Sequence, residues 1–170
     1  MQCKWYALFV ESGEEDHVKE RLQYKLSNTS LRVLVPKRKM RERKNGKWDY
    51  KIRTLFPGYV LLNGSLGVDE YYDMKGTPGI IKLLKDKNGP LEIRENEINI
   101  IGKLINDNDI IEISNVFVKN GNVIVTDGPL LGMEGLIEAI DKRKGRVKVR
   151  LDFIGEQRLV ELSVNMLQPA

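Results

Sequence analysis

Apolar residues at the start of the chain follow two periods, one typical of a strand and the other of a helix. Residues 4–11 alternate in polarity, which predicts a strand. Residues 13–27 carry apolar side chains at four-residue spacing, namely Val18, Leu22 and Leu26. This spacing predicts a helix with one apolar face, and Ser12 with Glu15 predicts a capping box at its N-terminus.

The chain continues this mixture of elements as far as residue 106. The further predicted elements are strands over 31–36, 56–62 and 80–84, a short helix near 69–75 and an amphipathic helix over 95–106. Asn45-Gly46 is a strong signal for a two-residue turn, with hairpin arms over 39–44 and 47–53. Helices mixed with antiparallel strands indicate an α+β domain, an antiparallel sheet flanked by helices.

Beyond about residue 110 the helical period disappears. Short strands alternate with turn residues, which are Asn120-Gly121, Asp127-Gly128-Pro129, Lys144-Gly145 and Gly155-Glu156. This pattern predicts a small all-β barrel. We therefore expect an N-terminal domain over residues 1–108, a linker over 109–116 and a C-terminal domain over 117–170.

The charge of the chain is mildly basic and unevenly distributed. There are 28 Lys and Arg against 24 Asp and Glu, with a pI of about 9.1. Residues 111–170 hold eight cations and eight anions, yet six of those cations fall within 142–150. No apolar run reaches the roughly 18 residues of a membrane span, and the N-terminus lacks the features of a signal peptide. We expect a cytoplasmic protein without a membrane segment, and a monomer because no coiled-coil seam occurs.

The sequence gives little support to a catalytic or metal site. His17 is the one histidine and lies early in the first predicted helix, where a solvated side chain is the ordinary interpretation. Cys3 is the one cysteine, which excludes a disulfide framework and a multi-cysteine metal site. Neither a phosphate-binding loop nor a dinucleotide-binding glycine motif occurs. We therefore expect a protein that is not an enzyme and that uses no cofactor or metal.

The predicted hairpin is strongly basic. Its cations are Lys37, Arg38, Lys39, Arg41, Arg43, Lys44, Lys47, Lys51 and Arg53, against Glu42 and Asp49. Alternation places three apolar residues, Trp48, Tyr50 and Ile52, on one face. A basic hairpin can lie along a phosphate backbone, where each contact releases counterions. A solvated hairpin that keeps the protein soluble explains the composition equally well.

A second basic segment covers residues 142–150. Alternation sends Arg146, Lys148 and Arg150 to one face of a strand, and the preceding turn adds Lys142, Arg143 and Lys144. Six like charges repel one another unless a polyanion compensates them. This arrangement favours contact with nucleic acid over a merely solvated face.

One apolar group is a candidate protein interface. Tyr6, Phe56, Pro57 and Tyr59 lie on predicted neighbouring strands. Aromatic residues are favoured at interfaces. An ordinary core is the simpler explanation of these residues, and the sequence pattern alone favours it.

Several segments, taken in order, resemble the NusG family of transcription factors. The segments that resemble its N-terminal domain are Trp5-Tyr6, Leu55-Phe56-Pro57-Gly58-Tyr59-Val60-Leu61 and Gly76-Thr77-Pro78-Gly79-Ile80. Those that resemble its KOW motif and the residues after it are 123–135, Phe153-Ile154-Gly155 and Val160-Glu161-Leu162. The resemblance covers nearly the whole chain, and it implies that the C-terminal domain is an SH3-like KOW barrel.

The resemblance also implies partners. The N-terminal domain of the family binds the clamp helices of RNA polymerase through an aromatic depression, and Tyr6, Phe56, Pro57 and Tyr59 fall at matching positions. The basic hairpin, with Arg41, Arg43, Lys44 and Lys47, would lie near upstream or non-template DNA. The KOW domain of the family meets ribosomal protein, the termination factor Rho or RNA.

The cations of residues 142–146 depart from the housekeeping pattern and resemble the specialised LoaP group of antiterminators, which are recruited by RNA. We therefore expect a processive antitermination and elongation factor that captures structured nascent RNA. The RNA-binding residues would be Lys142, Arg143, Lys144, Arg146, Lys148 and Arg150. The alternatives are a general elongation factor that couples polymerase to the ribosome or Rho, and a ribosome-associated KOW protein.

Overall fold

The computed structural model describes residues 4–168, so Cys3 lies outside the described residues. Its helices are α1 (Glu15–Lys25), α2 (Val68–Met74) and α3 (Glu95–Leu104). Its strands are β1 (Lys4–Val10), β2 (Arg32–Leu34), β3 (Lys37–Lys44), β4 (Lys47–Thr54), β5 (Tyr59–Gly64), β6 (Ile80–Leu83), β7 (Lys85–Asp86), β8 (Gly89–Pro90), β9 (Ile110–Ile111), β10 (Ser114–Lys119), β11 (Asn122–Asp127), β12 (Ile137–Asp141), β13 (Arg146–Phe153) and β14 (Glu156–Met166). A 3-10 helix, Glu134–Leu136, precedes β12. The fold is mixed α/β and mostly strands, in agreement with the predicted combination of elements.

The chain forms two compact units whose division differs from the expected order of domains. The first unit contains the residues up to Val35 together with Phe56–Ile98. The second contains Pro36–Leu55 together with the residues from Asn99 onward. The basic hairpin β3–β4 thus belongs to the same unit as the C-terminal strands. Sequence order suggested otherwise because contacts between residues far apart in the chain leave no local signal.

The first unit is built on a four-stranded antiparallel sheet with the order β2-β5-β1-β6. Its core contains Tyr6, Leu8 and Val10 of β1, Val60 and Leu62 of β5, and the apolar stripe Val18, Leu22 and Leu26 predicted for the first helix. One expectation was wrong, because helix α1 begins at Glu15 and its N-cap residue Glu14 makes no capping hydrogen bond through its side chain. The Glu15 carboxylate instead accepts a hydrogen bond from the Gly13 amide at 2.9 Å.

The second unit contains two sheets. One has the order β4-β3-β9, and the other has the order β11-β10-β14-β13-β12. The turn at Asn45 and Gly46 has positive φ values of 54° and 77°, as the Asn-Gly signal predicted. The five-stranded sheet contains the residues predicted to form a barrel, and the SH3-like closure stays a prediction.

Residues 109–116 were expected to be a linker, but strands occupy much of this segment. Ile110–Ile111 pair in parallel with β3, and Ser114 is the first residue of β10. Ile111 and Ser114 are buried. Burial of Ile111 and its short pairing with β3 hold the segment in place.

A glycine at the end of β11 is fixed by the backbone of β10. Gly128 has a φ of 102°, and a Cβ built on it would lie 2.5 Å from the Cα of Ser114. The Ser114 hydroxyl accepts a hydrogen bond from the Leu130 amide at 2.9 Å, so this serine cannot move away freely. The approach of the two backbones therefore requires glycine at this position.

Gly128→Ala should destabilise the protein by about 3 kcal/mol or more, because overpacking is added to the cost of a positive φ. Gly132→Ala is the matched control, since Gly132 has a φ of 80° with nothing within 4 Å of the added Cβ. The control should lose about 1–2 kcal/mol, the cost of the left-handed backbone alone. Urea denaturation measures both free energies of unfolding. Equal losses would mean that the contact with Ser114 does not constrain this turn.

Candidate protein and nucleic-acid interfaces

The four residues expected to form an aromatic docking patch do not share one surface. In the pairing of β1 with β5, Tyr6 lies opposite Leu62 and Phe9 lies opposite Tyr59. Because side chains alternate between the faces of a sheet, Tyr6 and Tyr59 project to opposite faces. Tyr6 is only 8% exposed and belongs to the core of the first unit. Tyr6 is therefore a core residue and does not belong to an exposed patch.

The other face of the same strands carries an aromatic pair that sequence reasoning missed. The rings of Phe9 and Tyr59 are 5.7 Å apart and inclined at 60°. Both residues are half-buried, Pro57 beside them is exposed, and Phe56 is buried. The alternation of β1 was a signal for Phe9, but its pairing with Tyr59 depended on a register that the sequence does not reveal.

The turn at Gly58 is held against β1 and the start of α1. The Gly58 amide donates to the Glu15 carboxylate at 3.0 Å, and the Gly58 carbonyl accepts from the Val10 amide at 2.8 Å. Gly58 has a φ of 91°, and an added Cβ would lie 3.5 Å from the Phe9 ring. Glu15 is 4% exposed. This buried carboxylate therefore fixes the loop that presents Pro57 and Tyr59.

Glu15→Ala should lower the free energy of unfolding by roughly 2–4 kcal/mol, because it leaves the Gly13 and Gly58 amides without their acceptor. Glu20→Ala, an exposed carboxylate on the same helix, should change stability by less than about 0.5 kcal/mol. Urea denaturation compares the two variants. A Glu15→Ala variant as stable as the control would show that water replaces the carboxylate without cost.

The basic hairpin has two distinct faces. Opposite pairs in its register include Arg41 with Tyr50 and Glu42 with Asp49, so neighbouring positions alternate between the faces. On the second face the Arg53 guanidinium donates to Glu42 at 2.6 and 2.8 Å, which holds the pKa of that carboxyl below its ordinary value. The four cations expected to approach DNA are all exposed, and they are Arg41, Arg43, Lys44 and Lys47.

The base of the hairpin is fixed to β14 within the second unit. Arg38 donates to the Glu161 carbonyl at 2.5 Å, and the Arg41 amide donates to the Ser163 hydroxyl at 2.9 Å. Met40 is buried, with its sulfur 3.7 Å from the same hydroxyl. Burial lowers the pKa of Arg38. The hairpin is therefore anchored at its base while its tip is exposed.

The predicted RNA-binding turn is well defined and highly exposed. The Asp141 carboxylate accepts from the Lys144 amide at 3.0 Å, and the Asp141 carbonyl accepts from the Gly145 amide at 2.9 Å. Lys142, Arg143 and Lys144 are exposed. Within residues 4–168, no carboxylate pairs with these three side chains.

The following strand presents its cations on one face, as predicted, but two of the three are engaged. The pattern along β13 confirms the alternation, with Val147, Val149, Leu151 and Phe153 buried. Arg146 pairs with Glu161 at 3.1 Å, and Arg150 pairs with Glu138 at 3.0 Å. The structure therefore brings the six residues together, with the turn and Lys148 as the more available charges.

Comparison with known proteins identifies the family. The family model described as transcription termination factor nusG matches residues 3–102, more than half of the 170 residues. The chain belongs to the NusG family. Proteins named transcription termination/antitermination protein NusG are similar over nearly their whole length.

Three NusG relatives show the extent of this similarity. The Bacillus subtilis protein is 31% identical, over 98% of this chain and 98% of its own length. The Haemophilus influenzae protein is 31% identical, over 97% of this chain and 93% of its own length. The Rickettsia prowazekii protein is 29% identical, over 97% of this chain and 89% of its own length. These relatives are transcription factors, which are not known as enzymes.

A solved structure of Thermotoga maritima NusG has a TM-score of 0.61 with this chain at 22% identity, covering 96% of this chain and 94% of that one. The likeness supports the mixed fold.

Across the described part of the chain, no three His, Cys, Asp or Glu side chains are grouped to hold a metal ion. His17 is exposed and lies 2.9 Å from Glu14. No helix among residues 4–168 is long and apolar enough to cross a membrane.

Proposed function

We propose that this member of the NusG family is a cytoplasmic processive antitermination factor recruited by nascent RNA. The observation that carries the proposal is the turn over residues 142–144, whose three cations are exposed and lack a carboxylate partner within the described residues. Like charges held together in one turn repel one another, and a folded RNA backbone would compensate them. Lys148 extends this surface, whereas Arg146 and Arg150 would have to exchange their glutamate partners for phosphates.

The N-terminal domain, over residues 1–108, would bind the clamp helices of RNA polymerase. The sheet face with Phe9 and Tyr59 supports this role, because these two rings are partly exposed and lie beside Pro57, in the loop held by Glu15. Phe56 would support this face from within the fold. Tyr6, which the family pattern assigns to the same interface, would act through the packing of β1.

The two binding events would reinforce one another. RNA held by the KOW domain, over residues 117–170, raises the local concentration of the N-terminal domain at the polymerase, because both belong to one chain. Docking then shifts the polymerase toward its pause-resistant conformations by differential binding. The hairpin cations Arg41, Arg43, Lys44 and Lys47 would lie near upstream or non-template DNA.

A general elongation factor is the second candidate, and the relatives support it equally well. Proteins named NusG match the chain over nearly their whole length. In that case the C-terminal domain would meet the ribosome or Rho, and the cations of residues 142–144 would be dispensable. A ribosome-associated KOW protein without a polymerase role is less well supported, because the similarity includes the N-terminal residues 3–102.

Selection of RNA from a transcribed library of the source genome distinguishes these candidates. We expect the tagged protein to enrich one structured leader, and we expect that leader to permit readthrough of a downstream terminator only when the protein is present. Retention of arbitrary RNA that fades with salt would contradict specific recruitment and favour the general elongation factor.

A further inference from the structure

Strands β6 and β7 form one edge of the first unit. β6 is the outermost strand in the order β2-β5-β1-β6. The Leu84 amide donates to the Ala7 carbonyl at 3.0 Å, and the Leu84 carbonyl accepts from the Leu91 amide at 2.9 Å. Alternate residues of an antiparallel strand direct their backbone groups to opposite sides, so those of Leu83 and Lys85 face outward. Within residues 4–168, no strand pairs with this outer side.

A groove of about 410 Å³ lies between this edge and helix α2, and residues 80–85 all line it. Its floor is apolar, because the buried side chains of Leu8, Met74 and Leu83 form part of its wall. Ile81 adds an apolar side chain that is 53% exposed. An apolar groove beside free backbone donors and acceptors is the setting in which an extended peptide adds a strand to a sheet.

Three exposed lysines surround the groove, namely Lys75, Lys82 and Lys85. The Lys85 ammonium donates to the Tyr71 hydroxyl at 3.3 Å and lies 4.7 Å from the centre of that ring, which fixes its position. In the part of the chain that the structure describes, none of the three lysines pairs with a carboxylate. The groove is therefore positively charged and complements an acidic partner.

The lysines lie on both faces of the edge. Lys82 is opposite Phe9 in the register of β1 with β6, whereas Leu83 is opposite Leu8 of the core. Lys85, two residues after Leu83, shares the core side. An added strand would thus meet a cation on each of its faces. Lysines at a sheet edge oppose pairing with a second copy of the same chain, and they favour an acidic strand.

We propose that this edge binds an extended acidic segment of a partner protein, which adds a strand beside β6 and β7. Backbone hydrogen bonds to Leu83 and Lys85 would supply the pairing, and carboxylates would reach Lys75, Lys82 and Lys85. This site goes beyond the proposed function. All its residues belong to the first unit, and binding of the segment requires neither RNA nor polymerase.

Nuclear magnetic resonance of the full ¹⁵N-labelled chain tests the site directly. The probe is a blocked peptide that alternates glutamate with valine. We expect it to shift the amide resonances of Leu83 and Lys85 and to slow the hydrogen exchange of both amides. The same peptide with glutamine at every glutamate should bind at least about fivefold more weakly, because it loses the charge pairs with the lysines.

Two N-methylated peptides separate strand addition from charge attraction. One carries N-methyl groups on every glutamate, and the other carries them on every valine. In an added strand only alternate residues direct their amides toward the edge, so only one of the two modifications blocks pairing. We expect one peptide to lose the shifts at Leu83 and the other to keep most of its affinity.

Substitutions of the lysines locate the charge contribution. Lys75→Gln combined with Lys85→Gln should weaken binding of the glutamate peptide by about threefold to 30-fold. Lys25→Gln combined with Lys103→Gln is the matched control, because both are exposed helix lysines and the change in net charge is the same. The control should weaken binding by less than about twofold. Circular dichroism verifies that each variant is folded.

Four outcomes would overturn the proposed edge site. The glutamate peptide could leave the amides of Leu83 and Lys85 unchanged, or the glutamine peptide could bind as tightly. The two N-methylated peptides could bind equally well, which would show attraction without an added strand. A single-stranded oligo(dT) could shift the same amides with equal affinity, which would make the groove a general polyanion surface. The lysine variants could bind the glutamate peptide no more weakly than their control.

Discussion

Phe9→Ser combined with Tyr59→Ser should abolish copurification of the protein with RNA polymerase. The two half-buried rings pack 5.7 Å apart on the face of the first sheet opposite to that of Tyr6. Buried aromatic anchors at interfaces commonly contribute 2 kcal/mol or more each, so loss of both should weaken docking by roughly 1,000-fold. A pull-down with purified polymerase core measures this loss, and thermal denaturation verifies that the variant is folded.

Tyr24→Ser is the matched control for this pair. Tyr24 lies on α1 and is highly exposed, so its loss removes an aromatic ring from the same unit without touching the Phe9 face. We expect it to copurify with the polymerase as the parent chain does. Retention of polymerase by the double variant, or an equal loss in the control, would move the docking surface away from β1 and β5.

The position of Tyr6 in the structure differs from the interface position that the family pattern implies. Its side chain lies in the core with Leu8 and Val10, on the opposite side of the sheet from Tyr59. Its loss should therefore act on polymerase binding through stability. The alternation along β1 indicated part of this arrangement, because Tyr6, Leu8 and Val10 project to one face of the strand and Phe9 projects to the other.

Local patterns were sufficient where neighbouring residues determine the structure. The Asn45-Gly46 turn, the apolar stripe of α1 and the alternation of β13 depend on residues within a few positions, and all three were predicted. The capping box failed because Glu15 makes hydrogen bonds to two amides, one of them Gly58 in a different part of the chain.

Pairings between distant residues were beyond the reach of these patterns. Arg38 meets the carbonyl of Glu161, 123 residues further along the chain, which places the hairpin in the second unit. The glutamates that engage Arg146 and Arg150 come from β14 and β12, on either side of β13. The sequence therefore predicted six cations free to bind RNA. Because ion pairs across the strands engage Arg146 and Arg150, the cations of the turn are the most accessible to RNA.

The second large expected effect concerns RNA binding by the exposed turn over residues 142–144. Lys142→Glu, Arg143→Glu and Lys144→Glu together should weaken binding of the selected leader by at least about 100-fold at physiological salt. If each cation contacts one phosphate, the slope of log affinity against log salt should fall by about 2–3. Electrophoretic mobility shifts at several salt concentrations measure both quantities.

Lys75→Glu, Lys82→Glu and Lys87→Glu form the matched control, because these exposed lysines of the first unit give the same change in net charge. We expect the control to lose affinity by less than about tenfold and to keep its salt slope, since only long-range attraction is reduced. Arg150→Ala should weaken binding less than the triple variant of the turn does, because its guanidinium is already paired with Glu138. If the two triple variants lose affinity equally, total charge rather than the turn attracts RNA, and the general elongation factor becomes the better description.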